Sequence, residues 1–113
     1  KKHIKISRTN VESLVAHKQD FLSCYNNEIF DVITLSETFL KPELPSSVFN
    51  LHNYKMFRND RLGKEGGGVA LFAHVSLNCK ILKQSNGKYS KSIEFMIVEI
   101  SNKFNKILIA VVY

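Results

Sequence analysis

The segment of residues 31–35 constrains the fold of this chain more than any other. After Asp31 it contains the compact apolar run Val-Ile-Thr-Leu, and such runs are typical of strands that are buried on both faces of a sheet. Upstream, residues 3–8 alternate apolar and polar side chains as a short strand does. Residues 11–27 place apolar side chains near helical spacing. Strand, helix and strand in this order predict a crossover unit in a parallel or mixed sheet.

The remaining sequence predicts mostly strands. Residues 39–53 hold both prolines, Pro42 and Pro45, and predict a long loop. The further predicted strands are residues 54–58, 69–75, 77–82, 93–100 and 106–113. The first two of these flank a glycine-rich turn and predict a hairpin, and Thr9 with Glu12 predicts a capping box at the start of the helix. The chain is therefore expected to be a strand-rich α/β structure with one domain.

Composition limits the classes of protein that the chain can belong to. The 113 residues are 44% hydrophobic, enough for a buried core. No apolar run approaches the roughly 18 to 20 residues that span a bilayer, and no secretory signal opens the chain. We therefore expect no membrane association and an intracellular location. The net charge of +6 fits a polyanionic partner such as nucleic acid, although the basic residues are scattered as on an ordinary solubilising surface.

The two cysteines and the histidines show no metal-site spacing. Cys24 and Cys79 are far apart and form no C-x-x-C pair, so the sequence predicts buried apolar packing for them and leaves one disulfide open. His17 and His52 are expected on the surface.

Three polar residues follow predicted strands and are candidates for chemistry. Asn10 follows the first strand, Glu37 the second, and Tyr113 ends the last. Ligands of open α/β sheets gather at the carboxyl ends of strands. If the three strands are adjacent and run alike, the three side chains converge, and the carboxylate and amide oxygens begin a magnesium site. Taken singly, a solvated acid, a helix cap and an interface aromatic are the favoured interpretations.

Four blocks of sequence resemble one family. Residues 9–14, Thr-Asn-Val-Glu-Ser-Leu, resemble its Asn-Ala-Arg/Gln-Ser-Leu motif, and residues 31–40 resemble Asp-Ile-Ile-x-Leu-Ser/Thr-Glu-Thr-Trp-Leu. Residues 54–61 look like Gly-Tyr-x-x-Phe-Arg-x-Asp-Arg, and Gly-Gly-Gly-Val-Ala-Leu follows at residues 66–71. Residues 94–113 resemble the two strands before its Arg-Pro-Pro sequence. In this order, the blocks resemble the endonuclease domain of jockey-like, LINE-type non-LTR retrotransposons.

The resemblance implies a fold and an activity. Those endonucleases belong to the endonuclease/exonuclease/phosphatase superfamily, a DNase I-like four-layer α/β sandwich of two mixed β-sheets. Residues 1–113 would be its N-terminal portion, so the fold would be incomplete. The implied activity is the nicking of duplex DNA, with Mg²⁺ or alternatively Mn²⁺, to prime reverse transcription of a mobile element. A reverse-transcriptase domain is expected downstream in the same polypeptide, in the nucleus or cytoplasm.

The resemblance also assigns roles to the three candidate residues. Glu37 corresponds to the metal-binding glutamate, Asn10 to the asparagine beside it, and Tyr113 to the tyrosine near the scissile phosphate. Arg58 and Arg61 either contact the DNA backbone or form, with Asp60, an internal salt-bridged turn, and the second interpretation is favoured.

The chain departs from the family pattern in ways that bear on activity. Phe39 replaces the usual tryptophan, a change expected mostly to affect packing, and Glu12 puts an unfavourable negative charge near the expected phosphate. The later Asp-x-Asn and Ser-Asp-His motifs have no counterpart in the 113 residues. Without that aspartate and histidine there is no general base, so we expect the fragment not to nick DNA by itself.

Two alternatives stay open at this point. The first keeps the fold and changes the substrate, giving a repair endonuclease or a phosphatase. The second is a decayed or domesticated remnant without catalysis, which acts as a binding or structural piece.

Overall fold

Within residues 3–113 the structure contains two β-sheets, one short α-helix and one 3-10 helix. The computed structural model describes residues 3–113, so residues 1 and 2 lie outside it. In chain order the elements are β1 (Ile6–Asn10), α1 (Lys18–Tyr25), β2 (Val32–Ser36), a 3-10 helix (Ser46–Phe49), β3 (Tyr54–Asn59), β4 (Val69–His74), β5 (Asn78–Gln84), β6 (Phe95–Ser101) and β7 (Lys106–Val112). The first sheet has the order β1-β2-β4-β3, and the second sheet has the order β5-β6-β7.

The first sheet is mixed, as the sequence predicts. β1 and β2 pair in parallel, and the segment that connects them contains α1. This is the predicted crossover unit. β4 pairs antiparallel with both β2 and β3, and this confirms the hairpin predicted around the glycine-rich turn. In the second sheet, β6 and β7 form an antiparallel hairpin through the polar turn after Ser101.

Two hydrophobic cores lie on opposite faces of the first sheet. Alternate residues of β2 show this directly, because Val32 packs into one core and Ile33 into the other, and both are fully buried. α1 covers one face, where Phe21 stacks on Phe72 of β4 with ring centroids 5.1 Å apart. The second sheet covers the other face, with Met96 fully buried between the sheets. The run at residues 31–35 is thus buried on both faces, as predicted.

The helix begins later than the sequence predicts, and the predicted capping box is not formed. α1 starts at Lys18, and its N-cap residue His17 makes no side-chain capping bond. Thr9 lies inside β1, and its hydroxyl is 3.0 Å from the phenol oxygen of Tyr25. Glu12 has a left-handed φ of 43°, which no helix accommodates. The expected helix at residues 11–17 is absent because this segment hydrogen-bonds to the end of β2 instead.

The expectation of buried apolar packing is wrong for Cys24, which is exposed because it lies on the outer side of α1. Cys79 is half-buried, and both cysteines are free thiols. Burial raises the pKa of the Cys79 thiol. His17 and His52 are on the surface, as expected. Within residues 3–113 the structure contains no helix long and apolar enough to cross a bilayer.

Candidate functional site at the carboxyl edge of the first sheet

Parallel pairing of β1 and β2 brings Asn10 and Glu37 to one edge. The register ends with Asn10 opposite Ser36, so Glu37 is the first residue beyond the paired strands. The two chains then continue side by side, since the Val11 amide donates to the Ser36 carbonyl at 3.0 Å and the Ser13 amide to the Glu37 carbonyl at 2.9 Å. The predicted amide and carboxylate therefore share the carboxyl edge of the first sheet.

Tyr113 reaches this edge from the other sheet. The sequence predicted that the three side chains would converge if their strands were adjacent and ran alike. This condition is not met, because β7 belongs to the second sheet. Glu37 and Tyr113 nevertheless come together, since the two sheets pack face to face. The Tyr113 phenol donates a 2.7 Å hydrogen bond to Oε1 of Glu37. This bond to the carboxylate, together with partial desolvation, raises the pKa of Tyr113 above its usual range.

The backbone is strained around Glu37. Glu37 and Phe39 both have left-handed φ angles, 55° and 58°, and Glu12 and Ser13 on the neighbouring segment do as well. Such conformations cost non-glycine residues on the order of 1 to 3 kcal/mol each and persist only where the surroundings impose them. At Phe39 the glycine-rich segment helps to hold this conformation, because the Phe39 amide donates to the Gly67 carbonyl at 2.9 Å. Strain of this kind concentrates at functional sites.

Strain also leaves Phe39 facing solvent. The sequence suggested that this aromatic residue would mostly affect packing, but 40% of its surface is exposed. The neighbouring Thr38 is fully buried, and its hydroxyl accepts a 3.4 Å bond from the Leu40 amide. The reversal of the chain at Thr38 therefore turns Phe39 outwards.

Arg61 is fixed beside the Glu37–Tyr113 pair. Its Nε forms a salt bridge with Glu94, and its guanidinium carbon lies 5.7 Å from the centre of the Tyr113 ring. The other carboxylate oxygen of Glu94 accepts a 2.8 Å bond from the Gly68 amide. Only about an eighth of each charged side chain is exposed, at 12% and 13%. The partner of Arg61 is therefore Glu94 and not Asp60, and a fixed positive charge lies next to the phenol.

The role of Glu94 was missed from the sequence. The register of the β6–β7 hairpin pairs Phe95 with Val112, so the preceding residue Glu94 lies opposite Tyr113, and the two exchange backbone hydrogen bonds of 2.8 and 3.1 Å. Counting outwards from the polar turn would have given this pairing.

Arg58 forms the internal salt bridge that the sequence favoured. Its Nη2 is 2.7 Å from Oδ2 of Asp60. The same guanidinium donates to the carbonyls of Lys41 and Leu44 at 2.8 and 2.6 Å. Arg58 thus ties the start of the proline-containing loop to β3, and its side chain is only 13% exposed.

The residues at the edge offer a small set of oxygen donors. Within residues 3–113 no group of three or more histidine, cysteine, aspartate or glutamate side chains is placed to hold a metal ion. Mg²⁺ does not require such a group, because it commonly binds through one or two carboxylates and keeps several waters. Glu37 supplies a carboxylate and Asn10 an amide oxygen, which fits this mode of binding.

Comparisons with known proteins identify the fold. No protein-family model and no curated protein sequence matches the chain. Several solved structures do. The AP endonuclease LMAP from Leishmania major superimposes with a TM-score of 0.68 at 17% identity, covering 97% of this chain and 40% of that one. D. rerio TDP2 complexed with a single-strand DNA product gives a TM-score of 0.66 at 16% identity, covering 96% of this chain and 45% of that one.

An AP endonuclease from Archaeoglobus fulgidus gives 0.62 at 16% identity, covering 94% of this chain and 40% of that one. These similarities confirm the predicted DNase I-like α/β fold with two sheets. The chain spans less than half the length of each of these neighbours. In the described part, helix, first sheet and second sheet form three successive layers.

Proposed function

We propose that this chain is the N-terminal portion of a metal-dependent DNA endonuclease of the endonuclease/exonuclease/phosphatase superfamily. The hydrogen bond between Tyr113 and Glu37, at the edge where Asn10 also lies, is the observation that carries this proposal. The neighbours with this fold include AP endonucleases and a TDP2 bound to a DNA product, which supports DNA as the substrate. The sequence blocks support a more specific assignment, to a LINE-type mobile element whose nick primes reverse transcription. The reverse-transcriptase domain would follow in the same polypeptide.

Each residue at the edge has a role in this proposal. Glu37 and Asn10 would hold Mg²⁺ or Mn²⁺, which supplies polarisation of a phosphoryl oxygen and stabilisation of the leaving oxygen. Tyr113 stays protonated, since its pKa is raised. Its single hydroxyl proton is donated to Glu37 and orients that carboxylate. Arg61, held in place by its salt bridge with Glu94, lies beside the phenol, and a preorganised guanidinium can donate hydrogen bonds to a phosphoryl transition state.

A general base is not among the residues at this edge. Of the four histidines, His3, His17 and His52 are exposed, and His74 pairs with Glu28 at 2.8 Å. We therefore expect nicking to need the Asp-x-Asn and Ser-Asp-His motifs, which the 113 residues do not contain. A chain that binds metal and DNA without cutting is the expected behaviour of this segment alone.

The test uses two measurements. Calorimetric titration of the 113-residue chain with Mn²⁺ should show one site that Glu37→Gln removes and Lys106→Ala leaves intact. In the protein that includes the later motifs, Glu37→Gln should lower the nicking of supercoiled plasmid about 100-fold or more. Glu37→Gln with unchanged metal binding and unchanged nicking would overturn the proposal.

A sibling phosphodiesterase is the second candidate, because the neighbours include AP endonucleases and a 3′ phosphatase from Neisseria. Supplying duplexes with an abasic site or a 3′-phosphate alongside undamaged plasmid, to the protein that includes the later motifs, distinguishes the two. Selective turnover of the damaged duplexes favours a repair enzyme. Absence of turnover on every substrate favours the non-catalytic remnant.

A further inference from the structure

A groove opens beside the candidate site, and Phe39 forms part of its wall. Residues 39–43 line one side and residues 61–66 the other, around a volume of about 410 Å³. Pockets that hold small ligands commonly measure about 300 to 1,000 Å³, so the groove is large enough for one nucleotide. We call it the Phe39 groove.

The aromatic wall of the groove is accessible and held in place. Phe39 is 40% exposed. Its backbone is fixed by the bond to Gly67, and its ring edge lies near Gly66, where an added Cβ would be 3.8 Å from Cε1. An exposed aromatic ring forgoes the favourable free energy of burying its apolar surface, and a strained backbone adds a further unfavourable free energy. An exposed ring on a strained but well-supported backbone is the arrangement expected of a binding surface.

Two lysines at the groove can pair with the phosphates of a nucleotide, while Arg61 is already paired with Glu94. Lys41, Arg61 and Lys64 line it together with two carboxylates, those of Glu43 and Glu65. Beyond the groove, the exposed ring of Tyr89 carries Lys64 Nζ at 4.3 Å and the Arg61 guanidinium at 5.0 Å. Aromatic rings interleaved with cations are the surface that single-stranded nucleic acid uses, because bases stack on the rings and phosphates pair with the cations.

The groove is continuous with the candidate site. Phe39 is two residues from Glu37, and Arg61 both lines the groove and lies over the ring of Tyr113, the partner of Glu37. A strand whose phosphate lies at Glu37 therefore has a neighbouring base within reach of the groove.

We propose that Phe39 is a base-stacking residue, and that the Phe39 groove takes one unpaired base of a DNA strand next to the phosphate held at Glu37. The inference rests on the proposed function and deepens it, since it assigns single-stranded or locally opened DNA as the form that is bound. Lys41 and Lys64 bind the flanking phosphates.

Binding by the 113-residue chain, in Mg²⁺ and at low salt, tests the proposal, because this chain is expected to bind DNA without cutting it. The probes are a short single-stranded thymidine oligonucleotide and the same strand with abasic residues. Phe39→Ala should weaken binding of the thymidine strand about 10-fold, while the abasic strand binds both proteins equally. The matched control is Phe104→Ala, because Phe104 is 50% exposed with Lys103 Nζ 5.4 Å from its ring, in the turn at the far end of β7. It should change neither affinity.

A second variant reports on contact directly. The chain contains four tyrosines and no tryptophan, so Phe39→Trp introduces a single tryptophan, which can be excited selectively. This variant should keep wild-type affinity and lose tryptophan fluorescence when a base stacks on the ring. Phe104→Trp should stay bright. Because both side chains are exposed, far-UV circular dichroism should show unchanged folding.

The outcomes separate this inference from the proposed function. Equal binding of the thymidine strand by wild type and Phe39→Ala, or an unquenched Trp at position 39 with saturating DNA, would overturn the subsite even if Glu37 proves essential for nicking. Conversely, loss of binding in Phe39→Ala stands even if Glu37→Gln nicks normally.

Discussion

Tyr113 and Glu37 are 76 residues apart in the sequence, and their side-chain oxygens are 2.7 Å apart in space. The hydrogen bond joins the last residue of the second sheet's hairpin to the edge of the first sheet. It makes the candidate site a product of how the two sheets pack.

Replacing Glu37 should return the pKa of Tyr113 towards its ordinary value of 10.0. The hydrogen bond to the carboxylate requires the protonated phenol, so the pKa in the folded chain lies above that in the unfolded chain. Its contribution to stability is therefore fully present below pH 10 and is lost as the pH rises through the folded value. Glu37→Gln should lower the Tyr113 pKa, observed by NMR titration of its ring. An unaltered titration would show that the bond is not formed in solution.

Gly68 should tolerate no side chain. A Cβ there would lie 2.6 Å from the Thr38 hydroxyl, and its φ of +87° is left-handed. Gly68→Ala should cost about 3 kcal/mol of unfolding free energy, from overpacking and backbone strain together. Gly63 is the control, because it has a similar φ of +81° with nothing within 4 Å of an added Cβ. Gly63→Ala should cost about 1 kcal/mol. Urea denaturation gives both values, and equal losses would contradict the contact with Thr38.

Removing Arg58 should destabilise the chain more than removing an exposed lysine. Arg58→Ala leaves Asp60, whose side chain is 8% exposed, without its partner, and breaking such a pair costs about 3 kcal/mol. Lys106→Ala breaks a 4.0 Å pair with Glu99 whose lysine is 70% exposed, and should cost less than about 0.5 kcal/mol. A cost for Arg58→Ala as small as that for Lys106→Ala, measured by chemical denaturation, would count against its structural role.

The Glu28–His74 pair should make stability sensitive to acid. Hydrogen bonds from His74 and then Asn53 lower the pKa of Glu28 below 4.5. The contribution to stability is therefore present above pH 4.5 and is lost as the pH falls through the lowered folded value. His74→Ala should raise the Glu28 pKa towards 4.5 in an NMR titration of its side-chain carbonyl. His17→Ala, on an unrelated surface, should leave it unchanged, and the same result for both variants would disprove the pairing.

Local patterns were sufficient to predict most strands. The apolar run after Asp31 and the β-prone composition of residues 93–100 depend on neighbouring residues alone, and both became strands within two residues of the expected bounds. The helix was predicted too long, because apolar spacing around Leu14 serves packing under the sheet while the backbone there pairs with the end of β2. Long-range pairing of this kind leaves no periodicity in the sequence.

The part of the candidate site that depends on the order of elements could be predicted from the sequence, and the part that depends on long-range packing could not. Asn10 and Glu37 lie at the same edge because adjacent parallel strands end together, which the order of elements predicts. Sequence alone could not assign β7 to the second sheet, since both sheets are made of similar alternating strands. It also could not show that Phe39 faces solvent, because this depends on the left-handed backbone that Gly67 helps to hold.

The hydrophobic core between the two sheets affects the distance between Glu37 and Tyr113. Each oxygen is anchored to a different sheet, so the separation between them behaves as a gauge of inter-sheet spacing, which Met96 and Val98 help to set. A substitution that removes one methylene from that interface should let the sheets move closer together. It should thereby shift the Tyr113 phenol relative to the Glu37 carboxylate, although neither residue is changed. Variants between the sheets and far from the edge should therefore change the geometry of the candidate site.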